Sequence, residues 1–157
     1  GACVLEAVNG GERGILHSQI ASDGRFHDML YTDGGVATTQ TAGHLHMEGK
    51  EVFRHAVEKM TQTVLESARA AAIDPQDITH LVPHQANARI LSACAKRMRM
   101  DEDRVVKTVE QHANTSSASI PLALAYLAEN AKLQINDIVM LTALGAGFTW
   151  GSCLLRW

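Results

Sequence analysis

The chain of 157 residues has only three cysteines, Cys3, Cys94 and Cys153, which are far apart and form no Cys-x-x-Cys pair. This odd, dispersed set argues against a disulfide framework, so we predict cysteines packed among apolar residues in a cytoplasmic protein. No apolar run approaches the ~20 residues of a membrane-spanning helix, and no basic start followed by an apolar run predicts a signal peptide. The net charge of −3 excludes a general attraction to nucleic acid or anionic membranes.

The remaining composition is that of a folded globular domain, with 46% hydrophobic and 20% charged residues. Eight histidines are present, and His44-Leu-His46 could chelate a metal on a strand edge. No carboxylate or cysteine stands beside this pair at ligand spacing, and no His-Glu-x-x-His motif occurs. We therefore predict no metal site.

The start of the chain reads as a strand from Ala2 to Val8, with no segment leading into it. Asn9-Gly10-Gly11 predicts a turn, and Arg13–Ile20 is a second apolar run. Because domains do not usually begin on a buried strand, we expect the chain to be a piece of a longer polypeptide.

Beyond Ile20, strands and helices are predicted to alternate, as in a layered α/β domain. Residues 21–46 are rich in Gly, Asp and Thr and predict a long loop. We predict helices from Glu51 to about Ile73, from Gln85 to Met100, and from the capping residues Asn114–Ser117 to about Lys132. Strands are predicted at His80–Pro83, Val105–Val109, Asp137–Thr142 and Phe148–Arg156.

Two segments place polar groups where ligands usually bind. Val82–Asn87 delivers His84 from a strand end to a turn before a helix, where an imidazole can donate a hydrogen bond or move a proton. His112–Pro121 brings the Asn114 amide to a helix start. The alternatives are a histidine that caps a strand end and an ordinary helix cap.

A third segment, Leu144–Gly151, carries two glycines that permit close approach of a ligand. The alternative is a hairpin turn between two strands. A phosphate loop is excluded, because the segment has no lysine and no helix follows it.

The predicted helix 85–100 has four basic residues and no acidic one, in a chain of net negative charge. Arg89 and Lys96 share one line along this helix, flanked by Arg97 and Arg99, and apolar residues occupy the opposite face. This basic stripe is either a solvated face or a site for an acidic partner.

Five segments in this order resemble the C-terminal half of β-ketoacyl-[acyl carrier protein] synthase III, an enzyme of the thiolase-like superfamily. They are Gly14–Ser18 with Ser22–Gly24, Met47–Arg54, Val82–Ile90, Asn114–Pro121 and Gly145–Gly151. The resemblance implies a layered α/β fold with a mixed five-stranded sheet and helices on both faces. It also implies that residues 1–12 are the last strand and linker of a preceding half, and that 13–157 are the C-terminal domain.

The resemblance implies a role for each matching residue. The family carries a Cys-His-Asn triad, in which His84 and Asn114 match the His and Asn, while the Cys belongs to the N-terminal half and nothing here matches it. The turn Gly145, Ala146 and Gly147 resembles the oxyanion loop. Other matches are to the coenzyme A and pantetheine tunnel (Gly49, Phe53, Asn87, Ile90) and to the carrier-protein docking surface (Arg54, Arg89, Lys96, Arg97).

The implied reaction condenses an acyl-CoA, most often acetyl-CoA, with malonyl-[acyl carrier protein], and so initiates type II fatty-acid biosynthesis. Both thioesters are substrates and no cofactor is implied. The implied partners are acyl carrier protein, the N-terminal half and a second subunit of a homodimer. Two alternatives remain: a related acyltransferase or a quinolone or polyketide starter synthase, and a non-catalytic subunit that binds carrier protein.

Overall fold

The computed structural model describes residues 1–7, 9 and 11–157. The strands are β1 (Gly14–Ser22), β2 (Leu30–Thr32), β3 (Leu45–Met47), β4 (His80–Pro83), β5 (Ile138–Gly145) and β6 (Thr149–Arg156). The α-helices are α1 (Gly49–Ala70), α2 (Ala88–Met98), α3 (Val109–His112) and α4 (Ser119–Glu129). Short 3-10 helices span Gly24–Met29, Pro75–Asp77, Glu102–Arg104 and Ser116–Ala118.

The main sheet is mixed and has the strand order β1-β6-β5-β4. β4 and β5 are parallel, whereas β6 is antiparallel to both β5 and β1. The sheet has four strands where five were expected, and a single parallel bridge between Leu81 and Val105 lies beside β4 in place of a fifth. β2 and β3 form a separate antiparallel pair.

The predicted strand Val105–Val109 is wrong beyond its first residues. Val106 N–H still donates to Leu81 O, but the next N–H groups turn away from the sheet. The side-chain oxygen of Gln85 accepts from both Thr108 N and Val109 N, and α3 begins at Val109. A side chain therefore satisfies the backbone donors that a fifth strand would have paired with β4.

Helices cover both faces of the sheet, as expected. Because strand side chains alternate between faces, Leu81 and Met140 join α1 and α2 in one core cluster. Their neighbours Val82 and Val139 join α4 in a second cluster on the opposite face. The layered α/β arrangement is thus confirmed.

The predicted strand at Ala2–Val8 is wrong for residues 1–7, which form no regular structure; Val8 lies outside the described residues, as does Gly10 of the predicted turn. Val4 and Leu5 are 89% and 80% exposed, and Cys3 is exposed rather than packed. An apolar run forms a strand only beside a partner that satisfies its backbone groups, and the described part of this chain provides none here.

Other predicted elements are present with shifted ends. The segment 21–46 was expected to be a loop, but it contains a 3-10 helix, β2 and the start of β3. α2 begins at Ala88, because the Asn87 side chain accepts from Ile90 N and caps the helix there. α4 begins at Ser119 rather than at Asn114, and the capping segment forms a turn before it.

Phe148 joins the start of β6 to the first 3-10 helix. Its side chain is fully buried, with ring centroids 5.5 Å from Phe26 and 5.6 Å from His55. Its backbone exchanges two hydrogen bonds with Asp23, of 2.9 and 3.0 Å. The ring therefore anchors segment 23–29 to the sheet.

We expect Phe148→Ala to lower the free energy of unfolding by about 3–5 kcal/mol, because it leaves a cavity between two aromatic rings. Ile135→Ala is the control, since Ile135 is 70% exposed and should change stability by less than about 0.5 kcal/mol. Denaturant titration of both variants measures the difference. Equal stability of the two variants would contradict the anchoring role.

Candidate functional site

A cavity of about 600 Å³ lies where α1 and the connection from β4 to α2 meet the loop before α4. Most of its wall is apolar, and its polar lining groups are few, as is typical of ligand sites. Its lining residues are Leu30, Leu45, Met47, Gly49, Lys50, Val52, Phe53, Ala56, Met60, His84, Ala86, Asn87, Arg89, Ile90, Asn114 and Leu144.

His84 reaches this cavity from the carboxyl end of β4. The backbone N–H of His84 donates to Thr142 O of the parallel strand β5 at 2.8 Å. The chain then turns, and Ala86 N donates to His84 O. Ligands in α/β sheets usually bind at this end of parallel strands. Burial lowers the pKa of His84 below its ordinary value of 6.5, while contact with the Ser116 backbone opposes that shift, so the neutral imidazole is favoured near neutral pH.

Asn114 reaches the same cavity from the turn between α3 and α4. Its side-chain oxygen accepts from Ser116 N at 3.2 Å, which leaves the amide NH₂ as the group that can donate to a ligand. The backbone beside it is strained, since Ala113 has φ 57° and ψ −164°, a conformation that L-residues rarely adopt. His84 and Asn114, which the sequence predicts to act together, therefore line the same cavity.

All four residues expected in the tunnel line this cavity: Gly49, Phe53, Asn87 and Ile90. Gly49 and Phe53 come from α1, and Asn87 and Ile90 from the start of α2. The Arg89 guanidinium lies 5.8 Å from the Phe53 ring centroid, a cation–π contact across the two helices.

The cavity carries positive charge. Lys50 and Arg89 line it, and none of its described lining residues is Asp or Glu. The combination of an apolar wall with cationic groups suits an elongated ligand that has an anionic group at one end. Lys50 is absent from the sequence-based set of site residues, although it lies in the segment Met47–Arg54.

The glycine turn is only partly at the site. Gly145 lines a smaller cavity of about 220 Å³ that also contacts His84, whereas Ala146 and Gly147 line neither cavity. Gly147 has φ +125°, and a Cβ there would lie 3.0 Å from Thr149 Oγ1, so glycine is required at this position.

The basic residues divide into two groups. Arg89, Lys96, Arg97 and Arg99 are exposed along α2, whose opposite face buries Ile90, Leu91, Cys94 and Met98. Of the four basic residues, only Arg89 lines the cavity. Arg54 donates to Glu51 at 2.7 Å, so an acidic neighbour offsets much of its charge.

Two positioning residues are absent from the sequence-based set. Gln85 is fully buried, and its amide makes four hydrogen bonds: it donates to Pro83 O and Val106 O, and accepts from Thr108 N and Val109 N. Ser119 is also buried, and its hydroxyl lies 2.7 Å from His84 Nδ1. A polar residue two positions after a buried strand was the available signal for Gln85.

The remaining sequence candidates lie elsewhere. His46 Nε2 is 2.8 Å from Asp33 Oδ2. Within residues 1–7, 9 and 11–157, however, no group of three His, Cys, Asp or Glu side chains is arranged to hold a metal ion. Burial raises the pKa of Cys94 to about 11 and also raises that of Cys153, so both thiols stay protonated at neutral pH. No described helix is both long and apolar enough to cross a membrane.

Residues 68–157 match the family model described as 3-oxoacyl-[acyl-carrier-protein (ACP)] synthase III C terminal. The chain belongs to this family. The matched range contains His84, Asn114 and the glycine turn, whereas Gly49, Phe53 and Arg54 precede it.

Curated relatives extend the similarity over the whole chain. Beta-ketoacyl-[acyl-carrier-protein] synthase III of Rhodospirillum centenum is 52% identical over 160 residues, and that of Agrobacterium fabrum 52% over 161. Each alignment covers 100% of this chain and 50% of the relative. The chain therefore spans about half the length of these curated relatives.

Solved structures give the same result for the fold. The 3-oxoacyl-[acyl-carrier-protein] synthase III of Aquifex aeolicus matches with a TM-score of 0.88 at 31% identity, over 96% of this chain and 46% of its own. The Pseudomonas aeruginosa structure also has a TM-score of 0.88, at 39% identity, over 96% and 47%. The expected family and the C-terminal half of its fold are thus confirmed.

We expect Gln85→Leu to lower the free energy of unfolding by about 3 kcal/mol or more, because three buried backbone groups and one part-buried group lose their partners. Gln111→Leu is the matched control, since Gln111 is exposed and should change stability little. Denaturant titration compares the two variants. A Gln85→Leu protein as stable as the control would show that these hydrogen bonds do not hold the site together.

Proposed function

We propose that this chain supplies the C-terminal half of a condensing acyltransferase, a β-ketoacyl-[acyl carrier protein] synthase III. The observation that carries the proposal is one cavity lined by His84, Asn114 and all four expected tunnel residues. The relatives named for this activity support it. In this proposal, the nucleophile comes from a segment that corresponds to the half of the relatives that this chain does not cover.

The first step is acyl transfer. A cysteine thiolate from that other half attacks the carbonyl carbon of an acyl-CoA, most often acetyl-CoA, and coenzyme A leaves as a thiolate, which takes up a proton from solvent. The raised pKa of the Cys94 and Cys153 thiols argues against either acting as this nucleophile. Cys3 lies outside both cavities that contact His84.

The second step is decarboxylation of malonyl-[acyl carrier protein]. The bond between the α-carbon and the carboxylate breaks, carbon dioxide leaves, and the electron pair forms an enolate with negative charge on the thioester oxygen. The neutral His84 ring and the Asn114 NH₂ can both donate to that oxygen. Removal of one such donor typically costs about 3–4 kcal/mol of transition-state stability.

The third step forms the carbon–carbon bond. The enolate carbon attacks the acyl-enzyme carbonyl, and the resulting oxyanion collapses and expels the cysteine thiolate. We assign backbone N–H groups of the turn Gly145, Ala146 and Gly147 to this oxyanion, and of these residues Gly145 lines the smaller cavity that contacts His84. The electrons balance between the bonds broken and the bonds formed, so no step needs an oxidant or reductant and we propose no cofactor. Both thioesters are substrates.

The cavity wall suits the arm that carries both substrates. The apolar lining, with Phe53 and Ile90, suits a pantetheine chain, and Asn87 and Gly49 offer polar contacts beside it. Lys50 and Arg89 provide charge for its phosphate. Lys96 and Arg97 continue the positive surface of Arg89 for about 10 Å along α2, which supports docking of an acidic carrier protein there. Arg54 is assigned to the same surface, with its charge tempered by Glu51.

The proposed partners also include the other half of the enzyme and a second subunit. β1 is an edge strand whose Ile15 and Ile20 are 57% and 81% exposed, and an apolar groove of about 590 Å³ lies over β1, β5 and β6. Apolar surfaces of this kind are usually covered in the working protein. We assign the assembled enzyme to the cytoplasm.

We expect His84→Ala in the intact enzyme to slow malonyl decarboxylation by about 10²–10³-fold while the nucleophile is still acylated at nearly the normal rate. The reason is that His84 contacts only the enolate in this scheme. Release of carbon dioxide and formation of acyl-enzyme are measured separately, with the exposed His27→Ala as the control. Near-normal decarboxylation by His84→Ala would remove His84 from this step.

We expect Arg97→Glu to raise the KM for malonyl-[acyl carrier protein] by at least about tenfold and that for acyl-CoA by much less, because Arg97 is exposed outside the cavity and only the former substrate has a protein to dock. Arg69→Glu makes the same charge change at an exposed position at the far end of α1 and should alter neither constant. Steady-state kinetics with each substrate varied in turn provides the test. An equal rise in both constants would contradict a docking role.

A further inference from the structure

The hydroxyl of Ser119, the first residue of α4, lies between the His84 ring and the backbone of Gln85. Its oxygen is 2.7 Å from His84 Nδ1 and 3.2 Å from Gln85 N. The side chain is buried, with an exposed fraction of 1%. Water therefore cannot readily replace either contact.

The hydrogen bonds of the Ser119 hydroxyl determine which ring nitrogen of His84 carries the hydrogen. A backbone N–H can only donate, so Ser119 Oγ accepts from Gln85 N. The serine retains one hydrogen of its own, and among the described residues His84 Nδ1 is its only side-chain acceptor within hydrogen-bond distance. If Nδ1 were protonated, the oxygen would face two donors and its own buried hydrogen would have no partner, which is unfavourable.

We propose that Ser119 is a positioning residue that holds neutral His84 with its proton on Nε2. Nδ1 then accepts from the serine hydroxyl, and Nε2–H is left to donate into the cavity. The catalytic effect of this tautomer rests on the proposed function. A developing enolate oxygen is stabilised by Nε2–H, whereas the other tautomer would present a lone pair to it.

The surroundings of Ser119 support this assignment. Gln85 N is held in place because the Gln85 side chain is anchored by its four buried hydrogen bonds. Burial lowers the pKa of His84 and favours the neutral ring, which is the only form that has a tautomer to choose. The Ser116 backbone also contacts the ring and partly opposes this lowering of the pKa.

The direct test is ¹⁵N NMR of the histidine rings in the intact enzyme, with His84→Gln used to assign the His84 signals. We expect an unprotonated Nδ1 and a protonated Nε2 in the wild type, and a mixture of tautomers in Ser119→Ala. A wild-type signal from Nδ1–H would overturn the proposal. Because this measurement needs no variant at Ser119, it decides the question even if Ser119→Ala does not fold.

Kinetics provides the second readout. We expect Ser119→Ala to lower kcat for malonyl decarboxylation at least about tenfold, with KM and the acylation rate unchanged, and Ser119→Thr to recover most of the loss. The matched control is Ser67→Ala, which removes another buried serine hydroxyl, one that lies 2.9 Å from His17 Nδ1. That control can reduce stability but should leave decarboxylation unchanged.

The outcomes separate the two proposals. A folded Ser119→Ala enzyme with wild-type kcat would overturn the role of Ser119 and leave the proposed function standing. A wild-type enzyme that does not decarboxylate malonyl thioesters would refute the proposed function, whichever tautomer the NMR spectrum showed.

Discussion

The buried amide of Gln85 is the interaction on which the candidate site depends. It ties the end of β4 to the segment 106–109, which would otherwise continue as a fifth strand. Because Thr108 N and Val109 N bond to Gln85 rather than to the sheet, the chain turns into α3 and brings Asn114 back to the cavity that His84 lines. A single side chain thus sets the path of both polar segments of the site.

The connection from β4 to α2 also positions the polar groups of the site, from the protein interior outward to the cavity. Gln85 N fixes the Ser119 hydroxyl, the hydroxyl contacts His84 Nδ1, and the ring presents its other edge to the cavity. Farther out, the wall between α1 and α2 is apolar, and Arg89 stacked on Phe53 supplies positive charge. Polar groups at the bottom, an apolar wall and a basic outer surface suit a long thioester with an anionic end, the class of substrate that we propose.

Much of this arrangement could be predicted from the sequence, for identifiable physical reasons. The strand His80–Pro83 was placed correctly because Pro83 limits it, and α1 because its apolar residues recur at helical spacing. The segments 1–7 and 105–109 were misassigned, since β pairing depends on partners that local sequence does not reveal. Gln85 and Ser119 were missed because a buried hydrogen-bond network depends on three-dimensional neighbours, here 21 to 35 residues apart.

We propose that His84 and Asn114 donate to the same oxygen, and a double-mutant cycle on malonyl decarboxylation measures whether they act together. The rate of carbon dioxide release would be measured for the wild-type intact enzyme, His84→Ala, Asn114→Ala and the double variant. Groups that act as a unit are strongly non-additive, so we predict that the double variant is little slower than the slower single variant. Losses that multiply would show that the two residues act independently and would contradict the account.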